Sequence, residues 1–494
     1  MKNLFLTLVC SLLYQAVVAQ SATEGSVRQA VQSSDVEAHI RFLASDALKG
    51  RDTGSPELNI AAQYLASYFQ SYGLQPLDST HSYFQPVPLS YESAPPSATL
   101  AFQDKEFQIG SDLVVMSGDS IDLKAPAVFV NYGTPEDLEG VDVEGKIVIT
   151  LPGRAGDSNP QSAFYAIADK QALIAEQGGL ALIELYRSAQ MPWSLIVRYL
   201  GGDKMSLEEP AEEGGLPILW LNDGLGNLRS LFEDHSGKTA TLSVAAKMRK
   251  PVDTRNVVAL LEGTDPTLKK EYIALSAHYD HVGVNPQATG TQDSIYNGAR
   301  DNAMGTTALL SAAKYFSEHP PKRSLLFIAF TAEEKGLLGS EWYAKHPLLP
   351  MNQVVFNLNT DGAGYNDTTK VTAIGLERTS AREAIASASQ EMGLEAIVDP
   401  VPEQNLYDRS DNVSFAKAGV PSVNFAPGVT AFDAELMKYY HQVADEAESL
   451  NFHYVLKYCQ AFVKSVENIA DLEQAPTWQE GDKYEEVGKQ LYGQ

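Results

Sequence analysis

The spacing of apolar side chains divides the chain into three parts. In the first part, Val36, Ile40 and Leu43 recur at helical spacing, and a second amphipathic stretch, "LNIAAQYLASYFQSYG", ends at Gly73. The segment "GRDTGSPE" between them contains glycine and proline and is typical of a loop. This part therefore predicts two helices joined by a loop.

From about Leu113 the pattern changes to short apolar runs bounded by Gly, Pro and Asp. The runs are "APAVFVNYG", "GKIVITLPG", "LALIELY" and "LPILWLND", and they surround one helical stretch, "FYAIADKQALIAEQGG". Short strands around a helix predict a compact α/β module. We place this module at residues 113–250.

The third part alternates strand-like and helical stretches. Apolar runs such as "EYIALSAHYDH", "SLLFIAF" and "QVVFNLNTDGAG" are separated by a helical stretch, "NAMGTTALLSAAKYFSEH". This alternation predicts an α/β sandwich with a largely parallel sheet, in which functional groups lie beyond the carboxyl ends of the strands. We predict that residues 20–112 and 251–494 together form one discontinuous main domain.

Length and charge narrow the function classes. A chain of 494 residues is too long for one compact core, so two domains are expected. The chain has 37 Lys and Arg against 63 Asp and Glu, a net charge of -26. This acidic balance disfavours nucleic acid and anionic membranes as partners.

The first residues have the pattern of a signal peptide. Lys2 precedes an apolar run, and Ala16 and Ala19 supply the small residues of a cleavage site. We predict a signal peptide at residues 1–19 and a secreted or periplasmic protein without a membrane anchor, because the run is short and Gln15 interrupts it. Cleavage would leave Cys459 alone, so the mature chain could form no internal disulfide.

Polar residues that could bind metal follow the predicted strands or open helices. They are His278 and Asp280 after "YIALSA", Asp301 before a helix, Glu333 and Glu334 after "SLLFIAF", Asp361 after "VVFNLNT", and His441 in "YYHQVADE". This set suits two zinc ions bridged by one carboxylate at the roughly 3.5–4 Å spacing of two-metal hydrolases.

Two of these acids are predicted to have other roles. Of the adjacent pair Glu333 and Glu334, one would be a metal ligand and its neighbour a general base. The Asp280 carboxylate is expected to accept the second ring N–H of His278. The other histidines are interpreted as non-ligands: His39, His81, His235, His281, His319, His346 and His453.

Five ordered motifs carry a family resemblance. "SAHYDHVG", "NGARDNAMGTTALL", "FTAEEKGLLGS", "NLNTDGAG" and "YYHQVADE" resemble the co-catalytic dinuclear zinc aminopeptidases, which include aminopeptidase Y-like enzymes and, more distantly, glutamate carboxypeptidase. The similarity covers about residues 35–90 and 253–470. It implies a three-layer αβα sandwich with a mixed, largely parallel sheet. The module at 113–250 resembles the protease-associated domain inserted in some members, which shapes substrate access.

The resemblance also implies a role for each site residue. One zinc would be held by His278 and Asp361 and the other by Glu334 and His441, with Asp301 bridging them. Glu333 would be the general base for attack by metal-bound hydroxide, and Asp280 would support His278. The family pattern further implies a cis peptide bond between residues 301 and 302.

The expected function is a secreted zinc aminopeptidase that acts on peptides. A carboxypeptidase for acidic C-termini stays open, because Arg300 and Arg409 could bind a carboxylate and Arg300 departs from the acid or small residue common before the bridging aspartate. A single-zinc glutaminyl cyclase is disfavoured by the complete set of ligands. A catalytically inactive receptor or binding module would be marked by lost ligands, and none is lost. The sequence does not predict an oligomeric state.

Overall fold

The computed structural model describes residues 27–77, 81–156, 162–188, 191–208, 215–290 and 292–493. The predicted signal peptide, residues 1–19, lies outside these residues. The chain divides into two compact units, a first unit comprising Met1–Pro88 with Asp253–Gln494 and a second unit comprising Leu89–Val252. None of the described helices is long and apolar enough to cross a membrane.

The elements are numbered here in chain order. The helices are α1 (Ser33–Leu43), α2 (Pro56–Ser71), α3 (Pro135–Leu138), α4 (Ser162–Glu176), α5 (Trp193–Leu200), α6 (Leu228–Asp234), α7 (Met304–Glu318), α8 (Leu338–Lys345), α9 (Arg382–Glu391), α10 (Asn412–Lys417), α11 (Ala434–Met437), α12 (Phe452–Ala470) and α13 (Glu485–Tyr492). The strands are β1 (Phe84–Glu92), β2 (Ala98–Phe102), β3 (Lys105–Gln108), β4 (Leu113–Ser117), β5 (Ile121–Phe129), β6 (Ile147–Thr150), β7 (Ala181–Tyr186), β8 (Lys204–Leu207), β9 (Ile218–Asn222), β10 (Thr239–Val244), β11 (Arg249–Leu261), β12 (Tyr272–His278), β13 (Ser324–Phe330), β14 (Val354–Asn359), β15 (Lys370–Ile374), β16 (Glu395–Ile397) and β17 (Ser422–Pro427).

The first unit is built on a mixed sheet with the strand order β16-β15-β17-β14-β12-β13-β11-β1. Its centre is parallel, because β12 pairs in parallel with β13 and β14, and β14 pairs in parallel with β17. Strands β11 and β15 run antiparallel to their neighbours β13 and β17. The prediction of a mixed, largely parallel sheet is confirmed.

Helices cover both faces of this sheet. Strand β13 is buried throughout and apolar after Ser324, and its alternate side chains pack on opposite faces of the sheet. Leu325 and Phe327 join a core that includes residues of α1, α2, α7, α9 and α12. Leu326 and Ile328 join a second core with Tyr343 of α8 and Phe415 of α10. The unit is therefore the predicted three-layer αβα sandwich.

The second unit has its own sheet, with the order β3-β2-β10-β5-β6-β7-β9-β4. Strands β5, β6, β7 and β9 pair in parallel, and the flanking strands pair antiparallel. Its cores include Phe232 of α6 on one side, and Ile174 of α4 and Ile196 of α5 in separate clusters. The unit begins at Leu89 rather than near residue 113, because β2 and β3 belong to its sheet.

Candidate metal centre

Three strands deliver the predicted site residues to one edge of the first unit's sheet. His278 is the last residue of β12, Glu333 and Glu334 follow β13, and Asp361 follows β14. Since these strands are parallel neighbours, their carboxyl ends meet at the same edge. Asp301 reaches this edge from the turn before α7, so four chain segments converge there.

The first donor group consists of His278, Asp301 and Asp361, whose ligand atoms all lie within 4.8 Å of one another. The Nε2 atom of His278 is 3.0 Å from Oδ1 of Asp361 and 3.2 Å from Oδ1 of Asp301. All three residues are buried. One imidazole nitrogen and two carboxylates therefore face a common point.

The second donor group contains Asp301, Glu334 and His441, together with His281. The Nε2 atom of His441 is 3.3 Å from Oδ2 of Asp301 and 3.2 Å from Oε2 of Glu334. Asp301 thus presents Oδ1 to the first group and Oδ2 to the second. A carboxylate shared in this way has the arrangement of a ligand that bridges two ions.

The chain around Asp301 is fixed from behind by Asp445. Both carboxylate oxygens of Asp445 accept the backbone N–H of Arg300 at 3.0 Å, and one also accepts the N–H of Asp301 at 3.3 Å. The peptide bond between Asp301 and Asn302 is cis, as the resemblance implied. The hydrogen bonds to Asp445 fix the backbone that places the Asp301 carboxylate just before α7.

The contacts of Asp280 differ from the expected hydrogen bond to the His278 ring. The Nδ1 atom of His278 is 3.1 Å from the backbone oxygen of Asp280 and 3.8 Å from its carboxylate. The carboxylate instead accepts the hydroxyl of Thr53 at 2.9 Å and the backbone N–H of Glu333 at 3.1 Å. Asp280 thus stabilises the segment that carries Glu333.

Two supporting residues were not recognised in the sequence. Ser410 donates its hydroxyl to Oδ2 of Asp361 at 2.5 Å. His281, interpreted as a non-ligand, places Nδ1 2.7 Å from Oε1 of Glu334, on the oxygen that does not face His441. His281 therefore orients the Glu334 carboxylate. The one sequence signal for His281 was its position three residues after His278. Ser410 had no such signal, because it lies far from Asp361 in the sequence.

Burial and charge shift the ionisation of the site in opposite directions. Burial raises the pKa of Glu333 well above its usual range; His278 opposes this rise, and the carboxylates of Asp361 and Glu334 add to it. Burial alone would raise the pKa of Asp301 too, but hydrogen bonds with His278 and His441 hold it well below its ordinary value. The Glu333 carboxyl is therefore suited to accept a proton, and the Asp301 carboxyl is suited to stay ionised.

The donor set fits a pair of divalent metal ions. Buried carboxylates at this density are costly without a cation. Each ion would receive one histidine nitrogen, one terminal carboxylate and the shared Asp301, which makes three protein ligands. Three nitrogen and oxygen ligands with an open position are typical of catalytic zinc.

A pocket opens directly onto these groups. Its polar lining includes Asp301, Glu333, Glu334, Asp361 and His441. Its apolar lining includes Ile374, Leu406, Ala426, Val429, Phe432 and Leu436. Arg409 and Tyr440 also line it, and the Arg409 guanidinium donates to the Tyr440 hydroxyl at 3.3 Å.

Arg300, the other arginine considered for substrate binding, is committed elsewhere. Its guanidinium is buried, lies 3.3 Å from Oδ1 of Asp445 and donates to the backbone oxygen of Ser449 at 2.9 Å. It also stacks over the Tyr439 ring, 3.6 Å from the centroid. Arg300 pairs with a local acid and does not line the pocket.

Part of the chain matches a known protein family. Residues 256–464 match the family described as Peptidase family M28. That stretch, 209 of the chain's 494 residues, is similar to peptidase family M28. The matched region lies in the first unit, from β11 to α12, and includes every predicted ligand.

Individual relatives of this chain are distant. Aminopeptidase YwaD of Bacillus subtilis (strain 168) is 25% identical over 336 residues, 67% of this chain and 63% of that protein. A vacuolar membrane protease of Saccharomyces cerevisiae (strain YJM789) is 38% identical over 112 residues, 23% of this chain and 10% of that protein. The chain therefore spans less than two thirds of either relative's length.

A solved structure supports the fold of this chain. The aminopeptidase from Aneurinibacillus sp. strain AM-1 matches with a TM-score of 0.62 and 23% identity, over 92% of this chain and 97% of that one. At this identity the match establishes the fold alone.

Proposed function

We propose that this chain is an exported, zinc-dependent exopeptidase that removes N-terminal amino acids from peptides, with Glu333 as the general base. The observation that carries the proposal is the Asp301 carboxylate shared between two donor groups beside Glu333, at the base of a pocket. The names of the M28 relatives, aminopeptidases among them, agree with this activity.

The ligand assignment follows the two donor groups. His278 and Asp361 would hold one zinc, Glu334 and His441 the other, and Asp301 would bridge them. Bound zinc supplies positive charge that polarises a carbonyl and makes a water molecule more acidic at neutral pH.

Glu333 has the position and environment of a proton carrier. It lines the pocket, and the bond from its backbone N–H to Asp280 fixes its segment. In the proposed reaction Glu333 accepts a proton from the attacking water and delivers it to the departing amine. Its raised pKa favours that transfer, since a carboxylate of higher pKa is a stronger base.

The charge of the pocket favours the amino terminus of a peptide over the carboxyl terminus. The carboxylates of Glu333 and Asp361 line the pocket and would stabilise a cationic α-amine. A terminal carboxylate would need an arginine, and Arg300 is already paired with Asp445. Arg409 lines the pocket, and it is the observation that keeps the carboxypeptidase as a second candidate.

The apolar lining indicates the substrate class. Ile374, Val429 and Phe432 are among the side chains that would surround the first residue of a peptide. Burying an aliphatic or aromatic side chain contributes about 1.5–3 kcal/mol. Peptides that begin with leucine or a similar apolar residue are therefore the expected substrates.

The test is a time course by mass spectrometry on four versions of one leucine-first peptide, with each end free or blocked. The proposal predicts cleavage whenever the amine is free, whether or not the carboxyl end is amidated. Loss of residues from the carboxyl end of the acetylated peptide would favour the carboxypeptidase. Absence of cleavage in all four versions would contradict both.

A further inference from the structure

Part of the segment after α12 packs against residues 378–379, which follow β15. We call residues 477–484 the C-terminal brace. Trp478 forms an isolated β-bridge with Thr379, and the backbone N–H of Gln479 donates to the oxygen of Arg378 at 2.8 Å. The Trp478 indole N–H donates to the oxygen of Gly419 at 3.0 Å. The brace is therefore anchored to the first unit by backbone and side-chain contacts.

The brace reaches Tyr407 through an arginine. Arg378 donates to both carboxylate oxygens of Asp482, at 2.7 and 2.9 Å. The same guanidinium lies 3.8 Å from the centroid of the Tyr407 ring. Tyr407 is buried, and its hydroxyl donates to the oxygen of Ser422 at 3.0 Å. Asp482 thus holds the guanidinium that covers one face of Tyr407.

The brace also binds the next residue, Asp408. The Lys483 ammonium lies 2.9 and 2.7 Å from the two carboxylate oxygens of Asp408. The Tyr484 hydroxyl donates to Asp408 at 3.3 Å. The brace therefore acts on two neighbouring residues. Asp482 reaches Tyr407 through its ion-pair partner Arg378, and Lys483 and Tyr484 contact Asp408 directly.

The residues on either side of this contact belong to the candidate site. Leu406, Arg409 and Ser410 line the pocket, and Ser410 donates to Asp361. We call residues 406–410 the pocket wall. Three of its residues line the pocket, and the other two, Tyr407 and Asp408, contact Arg378 and the brace. A change in the brace would act on this wall through Tyr407 and Asp408, which are not predicted metal ligands.

We infer that Asp482 and Lys483 are positioning residues that fix the pocket wall 406–410 and so determine how tightly the first residue of a substrate is bound. This inference rests on the proposed function, because it concerns the same pocket. The brace acts on binding more than on proton transfer, since Glu333 is held separately by Asp280.

The test compares Lys483→Glu, the exchanged pair Asp408→Lys with Lys483→Glu, and the control Lys489→Glu. Lys489 is a half-exposed lysine of α13 that pairs with Glu485 and Glu486. The readouts are KM and kcat on a leucine-first peptide, zinc content, and hydrogen exchange of the amides of residues 405–410.

We expect Lys483→Glu to raise KM about three- to tenfold, because an attraction of the size of a partly exposed ion pair becomes a repulsion. Zinc content should stay at the wild-type level and kcat within about twofold, while exchange of residues 405–410 becomes faster. The exchanged pair should restore KM and exchange, and Lys489→Glu should change neither.

The inference would be overturned if Lys483→Glu kept the KM and the hydrogen exchange of the wild type. It would also be overturned if Lys489→Glu raised KM and sped up exchange to the same extent, or if exchange became faster across the whole first unit. If the wild-type protein cleaves no peptide, the proposed function fails instead. The exchange of residues 405–410 then decides the inference by itself.

Discussion

The contact between Arg300 and Asp445 gives the most quantitative prediction. Both side chains are buried, at 3% and 2% exposure. Asp445 accepts two backbone N–H groups as well as the guanidinium, so Asp445→Asn would remove the charge that balances Arg300. Breaking one partner of a buried ion pair costs about 3–5 kcal/mol, because it leaves the other charge uncompensated.

The expected consequence is a large fall in melting temperature. At roughly 1–2 °C per kcal/mol for a unit of more than 300 residues, Asp445→Asn should melt about 3–10 °C below the wild-type protein. Calorimetry or circular dichroism at one fixed scan rate measures this. The variant should also bind less zinc, since Asp445 fixes the backbone of Asp301.

Two further variants serve as controls for Asp445→Asn. Asp253→Asn removes an exposed acid that pairs with Arg255, and it should shift the melting temperature by no more than about 2 °C. The double variant Arg300→Met with Asp445→Asn removes both buried charges and should recover part of the lost stability. A melting temperature of Asp445→Asn within 2 °C of the wild type would refute the assignment of a buried, charge-balanced pair.

Three other outcomes follow from the site. Removal of metal by a chelator should lower the melting temperature, since the cations stabilise only the folded state, and an unchanged temperature would argue against resident metal. Ser410→Ala should weaken zinc affinity or activity about 10–100-fold by removing the hydrogen bond to Asp361, measured by competition with a chelating dye and by peptide turnover. Ala426→Leu should narrow the apolar pocket and lower kcat/KM for a leucine-first peptide by roughly tenfold relative to an alanine-first peptide, and equal losses on both would contradict the pocket assignment.

The sequence was most informative where chemistry and periodicity coincide. The apolar run of β13 followed by Glu333 and Glu334 predicted both a central strand and the edge at which its acids lie. The same logic located His278 and Asp361, because parallel strands bring their carboxyl ends together.

The contacts around these residues depend on packing between distant segments, which no local pattern encodes. Asp445 and Ser410 are ordinary polar residues in the sequence, and only the fold brings them to Asp301 and Asp361. The border of the second unit differed for a related reason. Strands β2 and β3 precede the apolar runs used to place that border, and they join the unit through pairing with β10 and with each other.

The most direct test of the central claim is the zinc content and turnover of Glu333→Gln beside Glu334→Gln. We expect Glu333→Gln to keep the same two zinc ions that are expected in the wild type and to lose turnover by roughly 10²–10⁴, the range of general acid–base catalysis. Glu334→Gln should lose zinc, because Glu334 belongs to the second donor group. Zinc loss in Glu333→Gln together with full zinc in Glu334→Gln would contradict the assignment of base and ligand.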